Sequence, residues 1–260
     1  MNKVLTLLVL VALGVCLTAS VAMADSRIRA GNCKTYKHVV QDNIALADHI
    51  HSFFGGINNF ESWTGFDIKA RNQTSCTSTN SAWGTSSGWF PRAQNMVSGK
   101  ATIYYRDPGD IRVRPIPTNL RILSHDLVFQ SQGSMDKLTI HFGNCLKVRN
   151  GLPVLDSFDH ESHVFDANAR PCPTSHPYRI PRTSYLIDWP REFRPSTLIS
   201  MGNNQWGRAD TYMHADYLSA LQNEFNYSTW RGPALIDLCL NNVPNSTEVA
   251  NPRCGPEPGN

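Results

Sequence analysis

The sequence lacks several short motifs that would identify a common enzyme class. It contains no phosphate-binding P-loop, no His-Glu-x-x-His metalloprotease motif and no Gly-x-Gly-x-x-Gly dinucleotide fingerprint. None of its cysteines is spaced as Cys-x-x-Cys, an arrangement that binds zinc through thiolates. Nucleotide-binding, standard metalloprotease and thiolate-zinc interpretations therefore lose support.

The chain also has little net charge of either sign. The chain carries 24 Lys and Arg residues against 21 Asp and Glu residues, a formal net charge of +3, and it has no block of like charge. Recognition of nucleic acid or of a membrane surface normally requires a basic patch or stripe. We therefore expect no nucleic-acid partner.

Long hydrophobic runs are missing except at the start of the chain. Lys3 precedes an apolar stretch at 4–17, and small residues follow up to Ala24. This pattern predicts a secretory signal peptide at 1–24, cleaved before Asp25. The alternative is a retained membrane anchor, for which the run is short. We expect one secreted domain at 25–260, extracellular or periplasmic in a Gram-negative host, with no membrane span after cleavage.

Cysteine is sparse but even in number once the predicted leader is removed. An even count in an exported chain predicts up to three disulfides, although six cysteines permit fifteen pairings. Cys239 and Cys254 are expected to form the most local pair. The six are Cys33, Cys76, Cys145, Cys172, Cys239 and Cys254.

Glycine and proline, at 17 and 16 residues, interrupt the sequence often enough to disfavour long helices. Segments 99–105, 136–142 and 182–189 alternate in polarity and are rich in β-branched and aromatic residues, which predicts strands. Apolar residues at helical spacing predict helices at 36–47 and 209–225. We expect a mainly β, disulfide-stabilised single domain with a sandwich or jelly-roll-like core, long loops, two or three short helices and an irregular tail from about 241.

Histidine is the residue type most indicative of function here, because imidazole binds transition metals and transfers protons near neutral pH. Seven of the nine histidines lie in short polar clusters, if His125 beside Asp126 is counted as a looser one. In the first, an extended backbone would place His49 and His51 on one face and point Ile50 into the core, which could supply two ligands to one metal. Gly55 follows in a turn where backbone could approach a ligand. The alternative is one surface histidine and one hydrogen-bonded histidine.

A second cluster contains two histidines between acids. On a helical turn His160 and His163 would share a face, and Asp159 or Glu161 could orient an imidazole by accepting its other N–H.

Two further sites follow. His176 lies in a proline-rich turn that a Cys172 disulfide would stiffen. His214, with Asp216 two positions on, could be a metal ligand or an oriented general base. The remaining histidines at 38, 125 and 141 receive no functional role.

The order of these motifs resembles a known family. His-x-His-x-Phe-x-Gly at 49–55, Trp-Phe-Pro at 89–91, Asp-His-x-Ser-His at 159–163, Cys-Pro-x-x-His-Pro at 172–177 and His-x-Asp at 214–216 form an ordered set. The set is similar to the secreted fungal and bacterial family named only as domain of unknown function nineteen-ninety-six. That family often accompanies WSC or cellulose-binding modules, which implies a setting at cell walls. The resemblance marks as recurring positions His49, His51, Asp159, His160, His163, His176, His214 and Asp216.

Three functions remain open. The first is an enzyme acting on extracellular or cell-wall polysaccharide, either metal-dependent with zinc or copper or based on histidine alone. In it, His214, Asp216 and Asp159 are the expected catalytic residues. The second is a non-catalytic wall-, carbohydrate- or metal-binding surface protein, and the third is a structural coat component. The predicted metal ligands are His49, His51, His160, His163 and His176.

Overall fold

The structure is a computed structural model, which describes part of the chain. The described residues are 26–34, 36–40, 49–55, 75–76, 86–94, 96, 100–107, 112–132, 135–188, 194–202 and 204–219. The predicted signal peptide, the expected Cys239–Cys254 pair and the predicted irregular tail lie outside them. The side chain of His49 is also outside the described part.

About half of the described residues form strands, and one short helix accompanies them. The helix, α1, is Ala209–Tyr212. The strands are β1 (Ser26–Lys34), β2 (Tyr36–Val40), β3 (His49–Gly55), β4 (Ser87–Pro91), β5 (Lys100–Asp107), β6 (Arg121–Ser124), β7 (Asp126–Gln132), β8 (Met135–His141), β9 (Cys145–Leu146), β10 (Val148–Arg149), β11 (Leu152–Pro153), β12 (Val164–Phe165), β13 (Tyr178–Arg179), β14 (Arg182–Asp188), β15 (Leu198–Gly202), β16 (Gln205–Arg208) and β17 (Ala215–Leu218).

Two five-stranded antiparallel sheets organise the fold. The first sheet has the order β1-β5-β14-β8-β7, and the second has the order β2-β3-β4-β17-β6. The three predicted strands correspond to β5, β8 and β14 and are confirmed. The chain passes from the second sheet to the first through a single residue, His125, which separates β6 from β7.

Aromatic side chains fill the space between the two sheets. The ring of Tyr185, from β14, contacts Phe54 of β3 at 4.6 Å between centroids and Phe142 at 4.7 Å. Tyr217 of β17 lies 6.5 Å from Tyr105 and 5.9 Å from Phe142. All five rings are buried. Because residues from both sheets share this core, the expected mainly β sandwich is confirmed.

Gly88, in β4, permits a close approach of Tyr185 from the first sheet and of Phe54 from the neighbouring strand. A Cβ at this position would lie 2.5 Å from the hydroxyl of Tyr185 and 2.7 Å from the ring of Phe54. Since both rings are buried and cannot turn away, only glycine fits opposite them.

The first predicted helix is wrong where the structure describes it, and the second is right only over Ala209–Tyr212. Residues 36–40 of the first form β2, which pairs with β3. In the second, α1 ends at Tyr212, and Ala215–Leu218 pairs with β4 and β6 as β17. Pairing on both sides of β17 supplies more backbone hydrogen bonds and packing than local helical spacing could offer. No helix in the described ranges is long and apolar enough to cross a bilayer.

A disulfide closes the segment that precedes β14. Cys145 of β9 is bonded to Cys172, which lies in the predicted proline-rich turn. β9 is the middle strand of a small sheet with β12 and β13. The 27-residue separation of the two cysteines encloses the whole Asp-His-x-Ser-His loop, so the bond restricts that loop to one side of the sandwich.

His141 gives the fold a pH-dependent stability. Burial, followed by the charge of Arg182, lowers the pKa of His141 to about 4, and its Nδ1 shares a hydrogen bond with Ser184 at 2.9 Å. The unfolded chain binds this proton near pH 6.5. Stability is therefore complete above pH 6.5 and falls as the pH drops to about 4, by about 1–2 kcal/mol after allowance for solvent screening of the half-exposed ring.

The measurement is urea unfolding of wild type and His141→Asn from pH 7.5 to 3.5. His163, whose pKa burial also lowers, adds a slope of the same sign in both proteins. We expect the variant to lose part of the slope between pH 6.5 and 4. Identical slopes in the two proteins would show that His141 titrates equally in the folded and unfolded states.

Candidate metal centre

β3 supplies the first donor of the candidate site. His51 is 0% exposed, and Phe53 shares its side of the strand because side chains alternate. The Phe53 ring stacks on Trp89 at 5.4 Å, and Trp89 is the register partner of Asp216. Tyr217 follows Asp216 and points into the core between the sheets. His51, Phe53, Trp89 and Asp216 therefore form a row on the face of the second sheet that is turned away from the first sheet.

The segment that enters β17 supplies two further donors. His214 and Asp216 are two positions apart and are 8% and 2% exposed. The Nδ1–H of His214 donates to the carbonyl of Tyr212 at 3.0 Å. This bond fixes the tautomer, and the neutral ring then carries at Nε2 the lone pair with which imidazole binds a metal.

The three side chains converge. One ligand atom from each of His51, His214 and Asp216 lies within 4.8 Å of the others, and the two imidazole centroids are 6.1 Å apart. Two imidazoles with one carboxylate are the protein ligands of many catalytic zinc sites and of the Fe(II) facial triad. Within the described residues, this is the group whose geometry could hold a metal ion.

His125 and Glu161 lie at the exposed rim of this group. The ring centroid of His125 is 5.9 Å from that of His214, and its Nε2 is 3.4 Å from Oε1 of Glu161. The two rim side chains are 51% and 43% exposed. The site is thus buried at His51 and open toward solvent at His125.

The predicted ligands His160 and His163 instead hold a loop against β6, the edge strand of the second sheet. The backbone N–H of Leu123 donates to the carbonyl of His160 at 2.9 Å, and Nε2–H of His163 donates to the carbonyl of Arg121 at 2.8 Å. His160 Nδ1 lies 2.5 Å from Asp156. These bonds cover a sheet edge that would otherwise expose unpaired backbone.

The expected helical turn does not form around these histidines. His160 has a φ of 53°, in the left-handed region, so it does not share a helical face with His163. The acids also differ from expectation. Asp156, and neither Asp159 nor Glu161, is the acid that contacts His160.

Asp159 organises the loop itself. Its carboxylate accepts hydrogen bonds from the hydroxyl of Ser157 and from the backbone N–H groups of Ser162 and Glu161, which hold its pKa well below the ordinary value. Ser157 also contacts Nδ1 of His163 at 2.8 Å. Asp159 therefore fixes the loop that carries Glu161, and it does not reach the three-donor group.

His176 docks at a different place on the same loop. Its Nε2 lies 3.4 Å from the carbonyl of Ser162, and its Nδ1 contacts Ser175 at 3.0 Å. Its ring is 6.0 Å from Phe165. With both nitrogens in hydrogen bonds, His176 acts as a brace between the disulfide-bonded turn and the loop.

The structure thus brings together one predicted ligand and two predicted catalytic residues. His51 joins His214 and Asp216, whereas His160, His163, His176 and Asp159 lie in the neighbouring loop and its supports. His49 has an undescribed side chain. Ile50 alternates with His51 and therefore shares its side of β3 with Phe54, which faces the core between the sheets, whereas His51 is buried on the opposite face. Gly55 has a φ of 86° and packs against the backbone of Ser86.

One residue at the rim, His125, was assigned no function from the sequence. The signal for it lies in strand register, because Ser124 is the partner of Ala215 in antiparallel β6 and β17. His125, which directly follows β6, must then approach His214, which directly precedes Ala215. Local sequence around His125 contains no such information.

The chain also contains a Gly-x-Ser-x-Gly pattern at 84–88. Ser86 at its centre is buried, contacts the hydroxyl of Tyr217 at 3.2 Å and precedes a strand. A hydrolase nucleophile of this pattern would be exposed on a turn from a strand into a helix. Ser86 is therefore a buried core residue and not an exposed nucleophile.

The comparisons with known proteins supply no name for this arrangement. No family model, no curated protein and no solved structure matches the chain. The chemistry of the site follows from its own donors. They are two imidazoles and one carboxylate, buried on one sheet face and opening at His125 and Glu161.

Proposed function

We propose that this chain is a secreted metalloenzyme that acts on extracellular or cell-wall polysaccharide. The observation that carries the proposal is the convergence of His51, His214 and Asp216 within 4.8 Å. A carboxylate removed from water is normally paired, hydrogen-bonded or bound to metal, and here two imidazoles lie beside it. Zinc is the first candidate, because two imidazoles and one carboxylate are the protein ligands of many catalytic zinc sites.

The bound metal would polarise a substrate oxygen or lower the pKa of a water molecule. The residues of this chain hold and orient it. Tyr212 fixes the tautomer of His214, and the row of Phe53 and Trp89 packs beside Asp216. The exposed pair of His125 and Glu161 marks the side from which a substrate can enter.

A polysaccharide substrate is supported by two features. Phe158 is fully exposed in the loop that carries Glu161, where its ring could stack on a sugar face. The ordered motifs also resemble the family whose members accompany WSC and cellulose-binding modules. The predicted leader and the Cys145–Cys172 disulfide support an exported protein.

The experiment starts with full-length mature protein purified without a histidine tag. The protein is stripped with a chelator, reloaded with zinc, copper or Fe(II), and incubated with insoluble and soluble glycans. We expect at least one metal to bind at about one equivalent and soluble products to appear only in the loaded protein. Less than about a tenth of an equivalent with every metal would exclude the metal site.

Matched variants identify the site responsible. His214→Ala is expected to abolish product release, whereas Asp210→Asn, which alters an exposed acid outside the three-donor group, should retain it. Equal activity of His214→Ala and wild type would place the reaction elsewhere in the chain.

A non-catalytic metal- or wall-binding protein is the second candidate. The burial of all three donors favours it, because a closed site suits metal retention as well as catalysis. It predicts one bound metal equivalent and retention on insoluble glycans with no product from any of them.

A further inference from the structure

We propose that His125 is a fourth protein ligand of the metal and that Glu161 orients it. The inference rests on the proposed function, since it requires that His51, His214 and Asp216 bind a metal. The completed set would contain three imidazoles and one carboxylate, and a water or substrate oxygen would bind as a fifth ligand, which zinc accepts during catalysis. His125 would then have a role, although its local sequence shows no motif.

Strand register brings His125 to the site. In the antiparallel pair of β6 and β17, Ser124 is opposite Ala215, so the residues beyond them, His125 and His214, approach each other at the end of the ladder. The measured centroid separation of their rings is 5.9 Å. This value is similar to the 6.1 Å between His51 and His214, but His125 lies outside the group whose ligand atoms are within 4.8 Å of one another, so its ring would turn toward the metal to bind it.

Glu161 completes a common arrangement for a metal-binding histidine. Such a residue usually donates its second ring N–H to a carboxylate, which fixes the ring orientation and raises its basicity. Nε2 of His125 lies 3.4 Å from Oε1 of Glu161, and this contact leaves Nδ1 as the nitrogen that would bind the metal. His214 shows the same logic with a backbone carbonyl in place of the carboxylate.

The loop that carries Glu161 is built firmly enough to position it. Three backbone carbonyls in or beside this loop take part in its attachment: Leu155 accepts from Arg121, His160 accepts from Leu123, and Arg121 accepts from His163. Asp159 caps the turn by accepting the N–H of Glu161. The loop histidines thus serve the metal indirectly, by holding Glu161 beside His125.

The exposure of His125 separates its role from those of the buried donors. His51 and Asp216 are removed from solvent, whereas half of the His125 side chain is accessible. A side chain on the solvent side can turn toward the metal when the metal binds. The metal would then be enclosed by the strands on one side and reached by substrate past His125 on the other.

The test compares metal binding by wild type, His125→Ala, Glu161→Gln and the control Asp210→Asn, which alters an exposed acid outside the site and its supporting loop. Zinc affinity is measured by competition with a chromophoric chelator, and bound Cu(II) is examined by electron paramagnetic resonance. We expect zinc affinity to fall about 100-fold in His125→Ala and about tenfold in Glu161→Gln, and to stay unchanged in the control. The count of nitrogen ligands on Cu(II) should fall from three to two in His125→Ala.

The outcomes separate the two proposals. If wild type binds neither metal, the proposed function fails and this inference fails with it. If wild type binds zinc but His125→Ala keeps its affinity and the wild-type nitrogen count, the fourth ligand is excluded and the three-donor site remains. Because His125 is exposed, the variant should unfold at the wild-type urea midpoint, which verifies that a loss of affinity is local.

Discussion

Asp216→Asn is expected to lower the zinc affinity of the protein by about 100-fold or more. The substitution keeps the shape of the side chain but replaces an anionic oxygen with a neutral amide, a poor ligand for zinc. Loss of a residue that only orients a ligand already lowers metal affinity by about 10–100-fold, so loss of a ligand itself should lower it by at least the upper value. In free energy, 100-fold corresponds to about 2.7 kcal/mol.

Thermal or urea unfolding measures this effect without a catalytic assay. At a zinc concentration about 1,000 times the wild-type dissociation constant, binding should stabilise the wild type by about 4 kcal/mol. The same concentration is only about ten times the dissociation constant of the variant and should stabilise it by about 1.4 kcal/mol. The metal-free variant should be at least as stable as the metal-free wild type, because a buried charge has been removed.

Asp210→Asn is the matched control. Asp210 lies six positions before Asp216, is exposed in α1 and pairs with Arg208 at the surface. It should retain the full stabilisation by zinc. If Asp216→Asn responds to zinc as wild type does, the carboxylate is not a ligand.

Tyr185→Ala is expected to remove about 3–5 kcal/mol from the free energy of unfolding, a large share of the total for a domain of this kind. Its ring is fully buried at the centre of the sandwich and contacts Phe54 and Phe142 edge-on. Truncation leaves a cavity between two sheets that are held apart by their other side chains. The neighbouring rings cannot collapse into it without moving a strand.

Tyr185→Phe separates the ring from its hydroxyl. The phenolic O–H donates to the backbone carbonyl of Asp216 at 3.1 Å, so its removal should cost about 1 kcal/mol. Urea unfolding of the two variants and wild type gives both values. A loss below about 1.5 kcal/mol in Tyr185→Ala would contradict a core centred on this ring.

The sequence predicts strands well where alternation and β-branched residues agree with their tertiary setting. β5, β8 and β14 lie in the interior of one sheet, and their local pattern is sufficient. β17 differs, because all four of its side chains are buried and neither face shows a polar alternation. Its identity depends on β4 and β6, which lie more than 90 positions away in the sequence. A local helical spacing was therefore misleading.

Only part of the candidate site could be predicted from the sequence, and the reason is again the dependence on distant strands. His51, His214 and Asp216 stand out because each has a polar or histidine neighbour at short spacing. Their convergence depends on the order of strands in the second sheet, which no local pattern encodes. His125 has no such neighbour except Asp126, and its approach to His214 follows only from the register of β6 against β17.

The separation of His51 from His214, about 160 positions along the chain, determines when the site can exist. Closing so long a loop is entropically costly, and contacts of this kind form late in folding. A metal ion therefore cannot act as a nucleus that starts the folding of the chain. It would bind a sandwich that is already assembled, and a nascent chain that ends before His214 lacks two of the three donors. Metal occupancy would therefore report that β17 has paired with β4 and β6 in the second sheet.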